Sequence, residues 1–257
     1  MDAVICGRGP MGTALADELR AAGHRVRVLG RPAGDRHDPA DLAGDVVIDF
    51  SVADAVAGTV RSALEAGCRR FVIGTTAWEA DRPAVDAVLR AAGAAAVAAP
   101  TFSPGVTALL RVVGELGAAL ARIGGYDPYV VDWHRAGKRD RPSGTALELA
   151  GRLVAADPAR TRIGVGSSGP ADPAAVEVVG VRAGAWPGSH LVGWDAAGET
   201  VELRVTARDR RAYAIGAIAA AEWLLADRRS PGIHTFESVL AVSGEGQLSR
   251  TLERTAW

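Results

Sequence analysis

The strongest constraint on the fold sits in residues 3–24, "AVICGRGPMGTALADELRAAGH": an apolar strand that breaks into a glycine turn and continues as a helix. Gly7, Gly9 and Gly12 fall in the spacing G-x-G-x-x-G. Between a strand and a helix, that spacing serves a tight turn, a close backbone approach to a pyrophosphate, and helix-start amides facing the anion. Gly7, Arg8, Gly9, Pro10, Met11 and Gly12 are thus the first candidate cofactor contacts. Gly23 marks the stop of the helix.

The alternation then continues. "RVRVLG", "DVVIDFS", "RRFVIGTT" and "AAVAAPTFS" read as strands; "VADAVAGTVRSALEAG" and "EADRPAVDAVLRAAG" between them read as helices. Strands alternating with helices predict an α/β, doubly wound parallel sheet covered on both faces. Ligands of such sheets bind beyond the carboxyl ends of the strands. That places Gly74, Thr75 and Thr76 of "IGTT", and Pro100, Thr101, Phe102 and Ser103 of "APTFSPG", at the border of a nicotinamide and its ribose. The second strand ends in Gly30 and Arg31, where an NAD-preferring site has an acid for the ribose 2′-hydroxyl. A missing acid and an arginine suit a 2′-phosphate. NADPH is the expected cofactor, with NADH as the alternative.

From Val106 the pattern changes. A long apolar helix leads to the strand "YDPYVVDWH", a basic loop, and a helix opened by "PSGT". The Gly/Ser/Pro-rich "GVGSSGPADP" predicts a surface loop. "AVEVVGVRAG", "SHLVGWDA" and "ETVELRVTAR" are strands close enough in sequence for an antiparallel or mixed sheet. "RAYAIGAIAAAEWLLADR" is a long helix. The tail from Ser230 predicts a short packed segment followed by polar residues that fray.

Composition excludes more than it selects. With 257 residues, 48% hydrophobic and 23% charged, the chain has the profile of an ordinary globular protein with a real core. A net charge of -1 offers no bulk attraction to nucleic acid or anionic membrane. No apolar run of membrane-spanning length occurs, and the N-terminus runs directly into a strand, so a cytoplasmic protein is expected. Cys6 and Cys68, in or beside strands, read as buried thiols rather than a disulfide or metal pair, and no metal site is expected.

Among 29 Lys and Arg residues one is lysine, Lys138, in "WHRAGKRDRPSGTALELA". An ammonium can give up its proton; a guanidinium cannot at any working pH. In the same stretch Ser143 is placed at a helix N-cap, with Gly144 and Thr145 in the first turn, where amides and hydroxyls accept a carboxylate or phosphate. His134, Arg135, Lys138, Arg139 and Arg141 precede that helix start, pointing to an anionic substrate. Hydride delivery to C=N or C=C needs a matching proton, which His134 or Lys138 can supply.

The motifs "VVIDFS", "IGTT", "APTFSPG", "WHRAGKRDRPSGTA" and "VRAGAWPGSH", in order along nearly the whole chain, resemble the dihydrodipicolinate reductase (4-hydroxy-tetrahydrodipicolinate reductase) family of diaminopimelate–lysine biosynthesis. The resemblance implies a Rossmann-type dinucleotide-binding domain over 1–105, completed by 212–257, and an α+β substrate and oligomerisation domain with a mixed sheet over 106–211. It further implies a homotetramer, a small anionic cyclic-imine substrate, catalytic His134 and Lys138, and Gly144 and Thr145 on a substrate carboxylate.

Four positions depart from the family's pattern. Arg135 replaces a second histidine, Thr101 an asparagine and Val205 a histidine, while Trp133 is bulky where the family is smaller; Arg210 is kept. Arg135 can still pair bidentately with a carboxylate. Trp133 and Arg135 are expected to decide which imine is accepted. Two other readings stand beside the lead: a paralogue reducing a different cyclic or amino-acid-derived imine, and a non-catalytic nucleotide-binding regulator.

Overall fold

The computed structural model describes residues 1–31, 36–166, 169–226 and 229–242. The chain forms two compact units, Met1–Pro104 with Arg210 onward, and Gly105–Asp209. The sequence had suggested divisions at 105/106 and 211/212.

The first unit holds six strands: β1 (Asp2–Cys6), β2 (Arg25–Leu29), β3 (Val46–Asp49), β4 (Arg70–Ile73), β5 (Ala95–Ala98) and β11 (Gly232–His234). Their order is β11-β5-β4-β3-β1-β2, every pairing parallel. β1 thus lies between β2 and β3, the point where the winding reverses, and the glycine turn leaves the sheet there. The helices are α1 (Pro10–Ala21), α2 (Ala53–Glu65), α3 (Arg82–Ala91), α6 (Arg211–Ala226) and α7 (Phe236–Val242).

Strand alternation explains the two cores. Ala3, Ile5, Val46 and Ile48 pack with α1, α6 and α7, while Val4, Cys6 and Val47 pack with α2 and α3. α1 stops as expected. Gly23 takes a φ of 79°, its amide bonds to the Arg20 carbonyl and that of His24 to the Leu19 carbonyl, which closes the last turn. α6 is rich in alanine, and Gly216 lets it approach the chain closely: a Cβ there would lie 1.8 Å from the Phe102 carbonyl oxygen.

The second unit holds α4 (Pro104–Ile123) and α5 (Gly144–Ala156) with a sheet of β6 (Asp127–His134), β7 (Arg162–Val165), β8 (Ala175–Arg182), β9 (Ser189–Asp195) and β10 (Thr200–Thr206). The order is β10-β9-β6-β8-β7; the β9 pairings are antiparallel and those of β8 parallel, so the sheet is mixed. β7 corrects the loop reading, because Gly164 and Val165 of "GVGSSGPADP" are its last residues. They pair with Glu177 and Val178, a partner that local composition does not reveal. Ser167 and Ser168 of that loop, and the polar tail after Val242, lie outside the described residues. On β6, Pro128, Val130, Asp132 and His134 are buried while Tyr129, Val131 and Trp133 alternate on the other face.

Candidate active site

The first unit's strand ends form a cradle. Gly9 caps α1 with its backbone extended, no side chain caps the helix-start amides, Pro10 occupies the first turn, and no acid lies there. A Cβ at Gly7 would run to 2.3 Å from the Phe50 carbonyl, and one at Gly12 to 1.9 Å from the Gly7 carbonyl, whereas one at Gly9 would meet open space. Two glycines are needed for packing, and the third keeps the approach to the amides clear. That donor set fits a pyrophosphate.

Beside it, Arg8 lies across Gly30. A Cβ at Gly30 would stand 3.4 Å from Arg8 Nε and 3.6 Å from its Cζ. Among the described residues from Gly30 to Arg31 no acid follows β2, and Arg31 is exposed. In the sequence Arg8 is only part of the turn; its position at the β2 end comes from the fold.

The other expected cofactor contacts separate by side chain. Thr76 and Pro100 are exposed and Thr101 half-buried. Gly74 permits the Phe50 ring to sit against it, at 2.1 Å from where a Cβ would project. Thr75 is buried, and its hydroxyl donates to Asp49 Oδ1 at 2.8 Å and accepts from the Ser51 amide at 2.9 Å. The Phe102 ring is in the core, 6.0 Å from Phe50 and 5.1 Å from Phe236 by ring centroid. Ser103 is buried as well. Thr75, Phe102 and Ser103 therefore shape the strand ends from beneath.

In the second unit His134 ends β6 and Ser143 opens α5, with the basic loop between them. Lys138 Nζ lies 2.7 Å from Asp140 Oδ1, its side chain 27% exposed. The Ser143 hydroxyl donates to Asp132 Oδ1 at 2.8 Å and accepts from the Ala146 amide at 3.2 Å. It is spent on capping. Among the described residues, nothing accepts from the Gly144 and Thr145 amides, and a Cβ at Gly144 would meet nothing within 4 Å. Arg135 curls over its own turn, its Nη1 3.1 Å from where a Cβ of Gly137 would be. Arg141 folds onto Gly180.

The residue that the sequence reading missed is Asp132. It is fully buried, with His134 Nε2 2.8 Å and His190 Nδ1 3.3 Å from Oδ1, and Arg182 Nη2 2.8 Å from Oδ2. Both histidine contacts are ion-pair separations, and neither ring N–H is aligned for a hydrogen bond. Burial alone would raise the Asp132 carboxyl; His134, His190, Arg182 and the Ser143 amide together hold it well below the ordinary carboxylate range. A signal existed, since Asp132 stands two residues before His134 on a strand and so shares its face.

Register sorts the departures. Gly180, Asp132, His190 and Val205 lie side by side across β8, β6, β9 and β10. Val205 is therefore on the histidine row. Trp133 is on the opposite face, stacked on Trp186 with centroids 4.9 Å apart.

Among the described residues, an uncapped helix start behind a glycine turn in the first unit and, separately, unpartnered helix-start amides after a lysine-bearing loop in the second each suit an NAD(P)H-dependent oxidoreductase. Comparison with known proteins gives that class its family. Residues 1–102 match the family model "Dihydrodipicolinate reductase, N-terminus", and residues 105–240 match "Dihydrodipicolinate reductase, C-terminus". The chain belongs to the dihydrodipicolinate reductase family. It is 34% identical over 251 residues to the 4-hydroxy-tetrahydrodipicolinate reductase of Granulibacter bethesdensis, covering 91% of this chain and 94% of that one. The reductase of the same name from Gluconobacter oxydans is 37% identical over 246 residues, with 90% and 93% covered. The fold is shared with the dipicolinate-bound dihydrodipicolinate reductase of Paenisporosarcina sp. TG-14, with a TM-score of 0.72 at 17% identity over 91% and 97% of the two chains. Among the described residues no helix is long and apolar enough to cross a membrane.

Proposed function

We propose that this protein is a cytoplasmic, NADPH-dependent reductase of 4-hydroxy-tetrahydrodipicolinate or its dehydrated form, working as a homotetramer. One observation carries the substrate reading: the Gly144 and Thr145 amides open a helix without an acceptor among the described residues, at the end of the loop that bears Lys138. A dicarboxylate suits them, with Arg135 as a second cation in place of the family's histidine. When bound, the nicotinamide cofactor supplies the hydride. Lys138 gives the matching proton to the reduced substrate and is neutralised in doing so, and His134 holds the reacting ring in place.

Arg8 and Arg31 around Gly30 support NADPH over NADH. Free, buried Cys6 and Cys68 suit a reducing compartment. For the tetramer, the support is the face of the second sheet opposite α5, where Val131, Trp133 and an exposed Val179 present apolar surface to a second copy. Light scattering coupled to size exclusion should return four times the 26.5 kDa chain mass.

The activity test is NADPH oxidation at 340 nm with 4-hydroxy-tetrahydrodipicolinate generated in the cuvette. Turnover is expected; tight NADPH binding without turnover would reject this substrate. One observation favours a second reading. Val205 stands on the histidine row, where the family has an imidazole, and Arg135 replaces another. Both changes suit a paralogue that reduces a related cyclic imine.

A further inference from the structure

A single buried carboxylate ties together parts of the second unit that arrive from different elements. Asp132 Oδ2 accepts from the Ser143 amide at 2.8 Å and from Arg182 Nη2 at 2.8 Å, and Oδ1 accepts from the Ser143 hydroxyl at 2.8 Å. His134 and His190 converge on Oδ1, their rings 5.2 Å apart and tilted edge to face. Arg182 reaches further, donating through Nε to the Asp140 carbonyl at 3.1 Å and through Nη1 to the Asp132 carbonyl at 3.1 Å. The loop that carries Lys138 is thus pinned to the same carboxylate.

Burying an ionised carboxylate costs several kcal/mol before its partners compensate, and apolar packing often does as well or better for stability alone. Stability therefore gives little reason for this cluster; geometry gives a good one. A metal site is the competing use, since an aspartate and two histidines have ligand chemistry. Yet both Asp132 oxygens already accept from Ser143, and the Arg182 guanidinium places positive charge where a cation would sit.

Building on the reductase reading, we infer that Asp132 is a positioning residue. Its charge, 2.8 Å from Nε2, favours the His134 tautomer that carries its proton there and orients the ring without a linear hydrogen bond, and through Ser143 it holds the Gly144–Thr145 amides in the same frame. The two demands of the reaction, a placed ring and a placed carboxylate, then share one anchor.

The test compares Asp132→Asn with Ser143→Ala in the full-length protein. Ser143→Ala removes the cap while leaving Asp132 against His134, so KM should rise with kcat within about twofold. Asp132→Asn should raise KM and lower kcat together, with kcat/KM falling about 10–100-fold, the range for removing an orienting partner. NADPH affinity should stay at the wild-type value in both. ¹⁵N spectra of the neutral imidazoles supply a readout independent of turnover: the wild type should show His134 as one tautomer with its proton on Nε2, and Asp132→Asn a mixture. Unchanged kcat and KM in Asp132→Asn would overturn the inference. So would a mixed His134 tautomer in the wild type, which decides the matter even where Asp132→Asn does not fold. If the wild type fails to turn over this substrate, the reductase reading falls while the tautomer comparison still judges Asp132.

Discussion

Lys138 Nζ rests 2.7 Å from Asp140 Oδ1, two residues along the same loop. Burial opposes ionisation of Asp140, but Lys138 outweighs it and holds the carboxyl below its ordinary range. The single lysine of the chain is thus held by a partner placed beside it. If it is the proton donor, Lys138→Ala should lower kcat by about 10²–10⁴-fold. Lys138→Arg should not restore it, because a guanidinium keeps its proton. Steady-state NADPH oxidation reads both; an arginine variant with wild-type kcat would reduce the lysine to a fixed charge.

Arg8 and Arg31 make a separable prediction about the cofactor. Arg8 lies over Gly30, at the strand end where a ribose-binding acid would repel a 2′-phosphate. Arg8→Ala and Arg31→Ala should each raise KM for NADPH about tenfold, the worth of roughly 1.4 kcal/mol of charge-assisted binding. KM for NADH should move less than twofold in either. A wild-type preference for NADH that survives both substitutions would remove the 2′-phosphate argument.

What sequence could show follows from which signals are local. Strand and helix periods, the Gly7–Gly12 turn and the stop at Gly23 are written within a few residues of themselves, so five of the first sheet's six strands were legible, whereas β11, read only as a packed segment, becomes a strand by pairing with β5. β7 was not, because its glycine-rich segment becomes a strand only by pairing with β8. The site divides along the same line. Lys138, His134 and the α5 start lie within one stretch and were found together. His190, Arg182 and Val205 join them only through strand register, which no single segment encodes. The face of Trp133 is legible locally as well, since β6 alternation sets it opposite His134.

Asp49 gives a pH signature to the first unit. It ends β3 fully in the core, where its Oδ1 accepts from the Ser51 hydroxyl at 2.6 Å and Oδ2 has no partner among the described residues. Burial pushes its carboxyl up, and the Ser51 and Thr75 hydrogen bonds only partly offset this. The folded state therefore keeps the proton to a higher pH than the unfolded chain, which releases it near about pH 4. Above that point stability falls as pH rises, until the folded carboxyl has also ionised. Asp49→Asn cannot ionise, so its melting temperature should gain on the wild type between pH 4.5 and 8. A difference that is the same at both pH values would show that Asp49 ionises in the native protein as it does in the unfolded one.

Gly188 holds the last constraint on His134. Its φ is 151°, and a Cβ there would stand 2.9 Å from His134 Cε1 and 3.0 Å from Nδ1. An ordinary ring would swing aside, but this one also lies 2.8 Å from buried Asp132. Gly188→Ala must either strain its own backbone or push the imidazole off the carboxylate. Overpacking of this kind costs about 1–3 kcal/mol. Gly184→Ala is the comparison, since Gly184 has a φ of 59° and open space around its Cβ position. It should cost about 1–2 kcal/mol from backbone strain alone and leave kcat near the wild-type value. Gly188→Ala should lose stability and, in addition, lower kcat about tenfold or more, by the sensitivity of catalysis to small misplacements. Denaturant melts and steady-state kinetics on the pair separate the two effects. Equal kcat in both variants would mean that the ring tolerates displacement, and that its contact with Asp132 does not govern the reaction.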